Sequence, residues 1–85
     1  MSIKINQEVE ITPSYVENYP SWNPGLGKVV SMETKTINSS TLSKESRLPF
    51  VAKYGKLDNY PLISFLVDFS GTQYLMSEFG IQLKQ

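Results

Sequence analysis

The eight carboxylates of this sequence are the first candidates for acid–base chemistry, because the chain has no histidine and no cysteine. Glu8 and Glu10 alternate with apolar residues, which places both side chains on the solvent-facing side of a predicted strand. An active site pairs a nucleophile with a base and with a group that orients the base, and no such set is apparent in the sequence. We therefore predict that the protein is not an enzyme.

Phosphate, metal and nucleophile sites also lack their sequence patterns. Ser40 and Lys44 miss the spacing of a Ser-x-x-Lys pair. Residues 25–28 (Gly-Leu-Gly-Lys) are not a full phosphate-binding loop, because Val29 stands where a hydroxyl is needed. The thiolate and imidazole groups that hold most zinc ions are missing. We expect no cofactor, no metal and no small-molecule substrate, and we interpret residues 25–28 as a turn that leads into a strand.

The segment 13–27 is unusually aromatic for a predicted loop. Its three prolines and two glycines argue against a helix, and the Pro24-Gly25 pair predicts a turn. Tyr15, Tyr19 and Trp22 allow two interpretations. They form either a small apolar lid over the end of the core or an anchor for a partner protein, since Trp and Tyr dominate such contacts. Both interpretations hold if Trp22 is half-buried and Tyr19 is exposed.

A basic stretch lies further along the chain and is interleaved with Phe50 and Tyr54. Cations next to aromatic rings are what a protein uses to bind single-stranded nucleic acid, through phosphate contacts and base stacking. The eight basic and eight acidic residues of the chain cancel, which disfavours a dedicated duplex-DNA binder. The stretch is a solvated loop, a contact for an acidic protein surface, or a nucleic-acid contact. Its cations are Lys44, Arg47, Lys53 and Lys56.

The elements that must position these residues are strands, because apolar and polar residues alternate with a period of two. Between the second and third strands lies an insertion, residues 37–60. Pro49 disfavours the helical conformation at Leu48, so we expect at most one helical turn before it and a short extended arm after it. Residues 77–80 predict a single 3₁₀ turn. The strands are predicted near residues 3–12, 27–36, 61–71, 72–76 and 81–83.

Four features of this pattern are typical of small barrels: a first strand at 7–11, a Gly-x-Val-Val start of the second strand at 27–30, a third strand with a tight turn at 65–71, and a 3₁₀ turn with a closing strand at 77–83. In this order they resemble the Src-homology-3-like (SH3-like) barrel. The resemblance implies one all-β domain over residues 1–85, a five-stranded and partly open barrel with the insertion of about 37–60 between its second and third strands.

The inward positions of the predicted strands should form one core. A chain of this length buries only about 60–65% of its unfolded surface, so the core is small. The predicted core residues are Val9, Ile11, Val30, Met32, Ile63, Phe65, Val67, Phe69, Leu75, Ile81 and Leu83.

These observations predict a non-catalytic protein-binding module, an accessory or inhibitory protein that acts on a larger complex. An RNA- or single-stranded-DNA-binding barrel and a structural subunit held by an exposed edge strand remain alternatives. No run of residues reads as a signal peptide or is long enough to span a bilayer, so we expect a cytoplasmic protein without a membrane partner. The predicted partner-binding residues are Tyr15, Tyr19, Trp22, Arg47, Lys53 and Tyr54.

Overall fold

The computed structural model describes residues 3–84, which form an antiparallel β-sheet with two short helices. The strands are β1 (Glu8–Ile11), β2 (Gly27–Asn38), β3 (Asn59–Phe69), β4 (Thr72–Ser77) and β5 (Ile81–Leu83), and the helices are α1 (Pro13–Asn18) and α2 (Lys44–Tyr54). A 3₁₀ turn, Ser39–Thr41, separates β2 from α2. Neither helix of this part of the chain has the length and apolar character that a membrane crossing requires.

The five strands lie in one sheet in the order β4-β3-β2-β1-β5, and every neighbouring pair is antiparallel. β2 and β3 make the longest pairing, from Lys28 opposite Asp68 to Asn38 opposite Asn59. The prediction of a small, mostly β domain with five strands is confirmed. The sheet is not closed, so the barrel that the resemblance implies stays a prediction.

A two-residue turn joins β3 to β4. Ser70 and Gly71 have φ angles of +54° and +94°, and positive φ at both positions is the signature of a type I′ turn. Asp68 Oδ1 accepts a hydrogen bond from the Gly71 N–H at 2.7 Å, which stabilises the turn. Phe69 and Thr72 face each other across it. A turn of fixed length fixes the register of the whole hairpin.

That register decides which residues of β4 point toward the core. Tyr74 lies opposite Val67 and Leu75 lies opposite Leu66, so Tyr74 shares the core face and Leu75 points to the other face. The prediction of Leu75 as a core residue is wrong, since it is 63% exposed. Met76, on the same face as Tyr74, is buried instead.

A β-bulge in β2 overturns the prediction of Val30 as a core residue. The pairing with β3 shifts between Val29 and Ser31, so Val30 is an extra residue and is largely exposed, while Val29 is fully buried. A bulged strand bends and twists more strongly at the bulge. The prediction of Met32 as a core residue is also wrong: Met32 lies opposite Phe65, on the core face, but it is 46% exposed and outside the core cluster.

The core draws on all five strands. It includes Val29 and Met76, which the sequence analysis did not assign. Ile11, Ile63 and Leu83 are half-buried and pack against the cluster rather than within it. The predicted core residues confirmed as buried are Val9, Phe65, Val67, Phe69 and Ile81.

Helix α1 occupies a segment that we predict to be an irregular loop, and that prediction is wrong. Pro13 stands at the first helical position, where a missing N–H has no cost because that group has no intrahelical partner. Thr12 precedes it, and the Thr12 carbonyl accepts hydrogen bonds from the N–H groups of Tyr15 and Val16 at 3.0 and 3.1 Å. The next proline, Pro20, follows the helix and does not interrupt it.

Helix α2 replaces the extended arm predicted for the second half of the insertion. Ser43 caps it by accepting a hydrogen bond from the Ser46 N–H at 3.2 Å, and Gly55, with φ of +82°, ends it. Pro49 lies inside the helix, where a proline removes one backbone hydrogen bond and costs about 3 kcal/mol. Burial of the next side chain, Phe50, against aromatic rings outside the helix offsets this cost.

Candidate functional site

We call Tyr15, Tyr19, Trp22 and Tyr74 the aromatic surface. The Tyr19 N–H donates to the Tyr15 carbonyl at 3.0 Å at the end of α1, and their ring centroids are 4.8 Å apart. The Trp22 N–H donates to the Tyr19 carbonyl at 3.0 Å, and this second turn brings the indole beside the Tyr15 ring. Residues predicted as a loop are therefore ordered by a helix and a turn that hold three rings together.

Trp22 is the centre of this surface. Its ring meets those of Tyr15, Phe69 and Tyr74 edge-on, with centroid distances of 5.6, 5.7 and 5.3 Å. Edge-to-face pairs each stabilise by about 0.5–1.5 kcal/mol beyond the area that they bury. Trp22 is half-buried against the core, whereas Tyr19 is 54% exposed. The burial of Trp22 against the core fits the lid interpretation, and the exposed Tyr19 ring is compatible with the partner interpretation, which stays a prediction.

A groove of about 360 Å³ lies between the aromatic surface and Leu75 and Met76 of β4. Tyr19 and Tyr74 both line the groove and are both exposed, so part of its aromatic wall faces solvent. Ligand pockets in proteins span about 300–1,000 Å³ and are lined mainly by apolar and aromatic side chains. The groove therefore has the size and lining to hold a few side chains of a partner.

The chain segments around the groove contain acidic residues and no basic ones, and one of these acids, Glu78, is paired with Lys53 of α2. Residues 5–27 and 69–83 include every residue that lines the groove, and they contain no lysine and no arginine. A polyphosphate backbone would find no cation from these segments to neutralise it. A neutral or positively charged protein surface would meet no repulsion. The charged residues of the two segments are Glu8, Glu10, Glu17 and Glu78.

Tyr74, which β4 adds to the aromatic surface, is not among the partner-binding residues predicted from the sequence. Alternation within β4 does not decide between Tyr74 and Leu75, since either side chain can be buried. The signal lies in the turn: a two-residue hairpin at Ser70-Gly71 pairs positions at equal distances on its two sides. It places Tyr74 opposite Val67, a predicted core residue, and therefore on the core face.

The other three predicted contact residues, Arg47, Lys53 and Tyr54, lie on α2, and none of them lines the groove. Phe50, which stands between them in sequence, is buried, with its ring centroid 5.2 Å from that of Tyr60 and 5.0 Å from that of Phe79. It is therefore not an exposed platform on which a nucleic-acid base could stack. The Phe50–Tyr60 contact lies outside the core cluster and anchors α2 to β3.

Lys53 and Tyr54 both bind one carboxylate, that of Glu78. The Lys53 ammonium forms an ion pair with Glu78 Oε1, and the Tyr54 hydroxyl donates to Glu78 Oε2 at 3.0 Å. The Glu78 side chain is only 8% exposed, whereas that of Lys53 is 52% exposed. The hydrogen bond to Glu78 raises the pKa of Lys53, against a smaller opposing effect of desolvation. Burial, followed by the hydrogen bond to Glu78, raises the pKa of the Tyr54 phenol.

Arg47 is half-buried and forms its hydrogen bond within the insertion. Its Nη2 donates to the Leu42 carbonyl at 3.2 Å, and its Nε is buried without a hydrogen-bond partner among the residues described. Lys44 and Lys56, by contrast, are exposed. The basic stretch therefore consists of two exposed lysines, one lysine in an ion pair and one arginine directed at its own backbone.

The turn between β4 and β5, Ser77–Gly80, touches both regions. We predict a 3₁₀ turn there, and it is a single hydrogen-bonded turn in which the Gly80 N–H donates to the Ser77 carbonyl at 3.0 Å. Ser77 also accepts through its hydroxyl, from the Phe79 N–H at 3.2 Å. On one side of this turn Glu78 binds α2. On the other side the Tyr15 ring lies 3.3 Å from the position that a Gly80 Cβ would take.

Neither a metal-binding cluster nor similarity to a known protein indicates what this site binds. Within residues 3–84, no group of three or more His, Cys, Asp or Glu side chains is placed to hold a metal ion. Comparison with known proteins finds no matching family model, curated protein or solved structure. Function is therefore inferred from the groove and the charges around it.

Proposed function

We propose that this chain is a non-catalytic protein-binding module whose partner seats side chains in the groove beside the aromatic surface. The observation that supports this most directly is Trp22, half-buried and flanked by Tyr19 and Tyr74, which are both exposed. A rigid indole with exposed rings around it is the composition of an interface anchor, because large aromatics give contact area at a low entropic cost. We expect an accessory or inhibitory protein that acts on a larger complex.

The partner is a protein surface that is neutral or basic. The acidic residues of segments 5–27 and 69–83 other than Glu78, which binds Lys53, attract a positive charge. A lysine or arginine of the partner placed over the ring of Tyr19 or Tyr74 would add a cation–π contact of about 0.5–2 kcal/mol.

The strand order supports the SH3-like barrel as the frame of this proposal. β1 to β4 follow one another as neighbours in the sheet, and β5 returns to pair with β1. The bulge at Val30 bends β2 between its pairing with β1 and its main pairing with β3. In a partly open barrel the aromatic segment after β1 would cover one end of the core.

The test is affinity capture from the native cell, followed by titration of the purified partner. We expect Tyr19→Ala to weaken binding at least tenfold, which is the loss of about 1.4 kcal/mol or more, and to leave the melting temperature within a few degrees. Leu57→Ala is the matched control, because Leu57 is 51% exposed and lies outside the groove. Equal affinity of the wild type and the Tyr19→Ala variant would refute this surface.

Binding of single-stranded nucleic acid by α2 and the residues that follow it is the second candidate, because Lys44 and Lys56 are exposed. Its affinity would fall steeply between low and moderate salt, as phosphate contacts require. Titration of a labelled oligonucleotide at two salt concentrations separates the candidates. A salt-dependent complex that is weakened by Lys44→Ala and unchanged by Tyr19→Ala favours nucleic acid.

A further inference from the structure

β4 is an edge strand whose outer side has no neighbour in the described sheet. Its sequence, Thr-Gln-Tyr-Leu-Met-Ser, has six residues and contains no charge and no proline. Natural sheets protect their edges with charged residues, prolines, bulges or very short strands, because an unpaired edge is a template for another strand. The opposite edge, β5, is only three residues long and is followed by Lys84. β4 is therefore the less protected edge.

The hairpin register shows which backbone groups of β4 face outward. Phe69 and Thr72 flank the two-residue turn and form a hydrogen-bonded pair, and hydrogen-bonded and non-hydrogen-bonded pairs then alternate along the hairpin. Tyr74 and Met76 therefore direct their N–H and C=O groups toward β3. Outward-facing N–H and C=O groups belong to Gln73, Leu75 and Ser77.

Little within the described chain uses these outward groups. Among residues 3–84, one backbone hydrogen bond outside the strands and helices involves the outward groups of β4. It runs from the Gly80 N–H to the Ser77 carbonyl. The Leu75 side chain, at the centre of the three positions, is 63% exposed. An uncharged edge thus combines free hydrogen-bonding groups with an exposed apolar side chain.

We propose that a second copy of this chain pairs its β4 with this β4, antiparallel and about a two-fold axis at Leu75. Leu75 of each copy would exchange both backbone hydrogen bonds with Leu75 of the other, and Gln73 would lie opposite Ser77. The two sheets would then form one continuous sheet.

The edge is complementary to itself for two reasons. The residues that meet at the axis carry no charge, so no like charges oppose each other. The two exposed Leu75 side chains would cover each other on the face where Leu66 of β3 is half-buried. The zero formal net charge of the chain also removes long-range repulsion between copies.

The absence of cysteine from the sequence allows a test without background reaction. Leu75→Cys should form an intermolecular disulfide on mild oxidation, because paired residues about 5.5 Å apart between Cα atoms are within disulfide reach. Leu48→Cys is the matched control, since Leu48 is 61% exposed and lies on α2. We expect at least a tenfold faster cross-link at position 75.

In sedimentation, the wild type should approach dimer mass as its concentration rises, and Leu75→Lys should remain monomeric.

The pairing also predicts its own register. Gln73→Cys alone should cross-link slowly, whereas a mixture of Gln73→Cys with Ser77→Cys should cross-link rapidly. Rapid linking of Gln73→Cys to itself would overturn this register. A wild-type chain that stays monomeric at millimolar concentration, with equal cross-linking at positions 48 and 75, would overturn the dimer and leave the edge to an extended segment of a partner protein. Leu75 also lines the groove, so a partner seated there would compete with the second copy. Tyr19→Ala leaves β4 unchanged and should weaken partner binding without changing the dimer mass, which separates the failure of one proposal from the failure of the other.

Discussion

The Tyr54 hydroxyl donates a hydrogen bond to Glu78 across 24 residues of sequence, and this bond ties α2 to the turn that follows β4. Lys53 binds the other oxygen of the same carboxylate. The Glu78 side chain is almost completely buried, and these two donors replace the water that its carboxylate loses. The contact holds the insertion against the sheet.

Removing the carboxylate should therefore destabilise the fold. We expect Glu78→Ala to lower the free energy of unfolding by about 2–3 kcal/mol, because it removes both bonds to a charged group, and Tyr54→Phe to lower it by about 1.5 kcal/mol, because it removes one of them. Urea denaturation measures both. Glu33→Ala is the control, since its pair with Lys35 is exposed on both sides and exposed pairs contribute about 0–1 kcal/mol. Equal effects of the Glu33 and Glu78 substitutions would contradict this account.

Stability should fall at alkaline pH. The folded-state pKa values of Lys53 and Tyr54 are both raised, so the folded chain holds these protons more tightly than the unfolded chain. Their contribution is fully present below the ordinary pKa values of about 10 and is lost as the pH rises through the raised values. We expect the melting temperature to drop above pH 10, and to drop less in a Glu78→Gln variant. Parallel pH profiles of the two proteins would exclude this contact as the cause.

Gly27 should tolerate no side chain. It is buried at the start of β2, and a Cβ there would lie 2.5 Å from a Val67 methyl and 2.6 Å from the Phe69 ring. Gly27→Ala forces the core to shift, at a cost of about 1–3 kcal/mol. Gly25→Ala is a useful contrast, because nothing lies within 4 Å of its Cβ position and only its φ of +77° opposes alanine. Thermal melts should rank Gly27→Ala as the less stable variant.

Phe65 should be essential to the core. It is 4% exposed in the middle of β3, between β2 and β4. Phe65→Ala leaves a cavity and should lower the free energy of unfolding by about 3–5 kcal/mol. A loss of this size is enough to leave most molecules of so small a domain unfolded. Circular dichroism measures the loss. A cooperative melt within a few degrees of the wild type would show that the core lies elsewhere.

The sequence predicts the number and order of the strands, although β1 (Glu8–Ile11) is shorter than the strand predicted near residues 3–12. Val67 and Phe69 are buried where a period of two places them. The period of two within one strand does not predict the buried residues where the register between paired strands determines which side chains face the core. The bulge at Val30 and the two-residue turn at Ser70-Gly71 each change which side chains face the core, and neither shift can be read from alternation within one strand.

The two helices are not predicted from the sequence for a related reason. Pro13 and Pro49 are breakers by local propensity, yet one stands at a first helical position and the other is offset by burial of Phe50. The site is predicted in part: Tyr15, Tyr19 and Trp22 do converge. What the sequence could not supply is the contribution from β4, which depends on long-range pairing.

The most direct test of the proposed partner surface is a map of the interface on the chain itself. The ¹⁵N-labelled protein is titrated with its unlabelled partner, and amide and indole NMR signals are followed residue by residue. We predict that the largest changes fall on residues 15–26 and 72–76, including the indole N–H of Trp22. Changes confined to residues 44–56, with the Trp22 signal unmoved, would contradict the account.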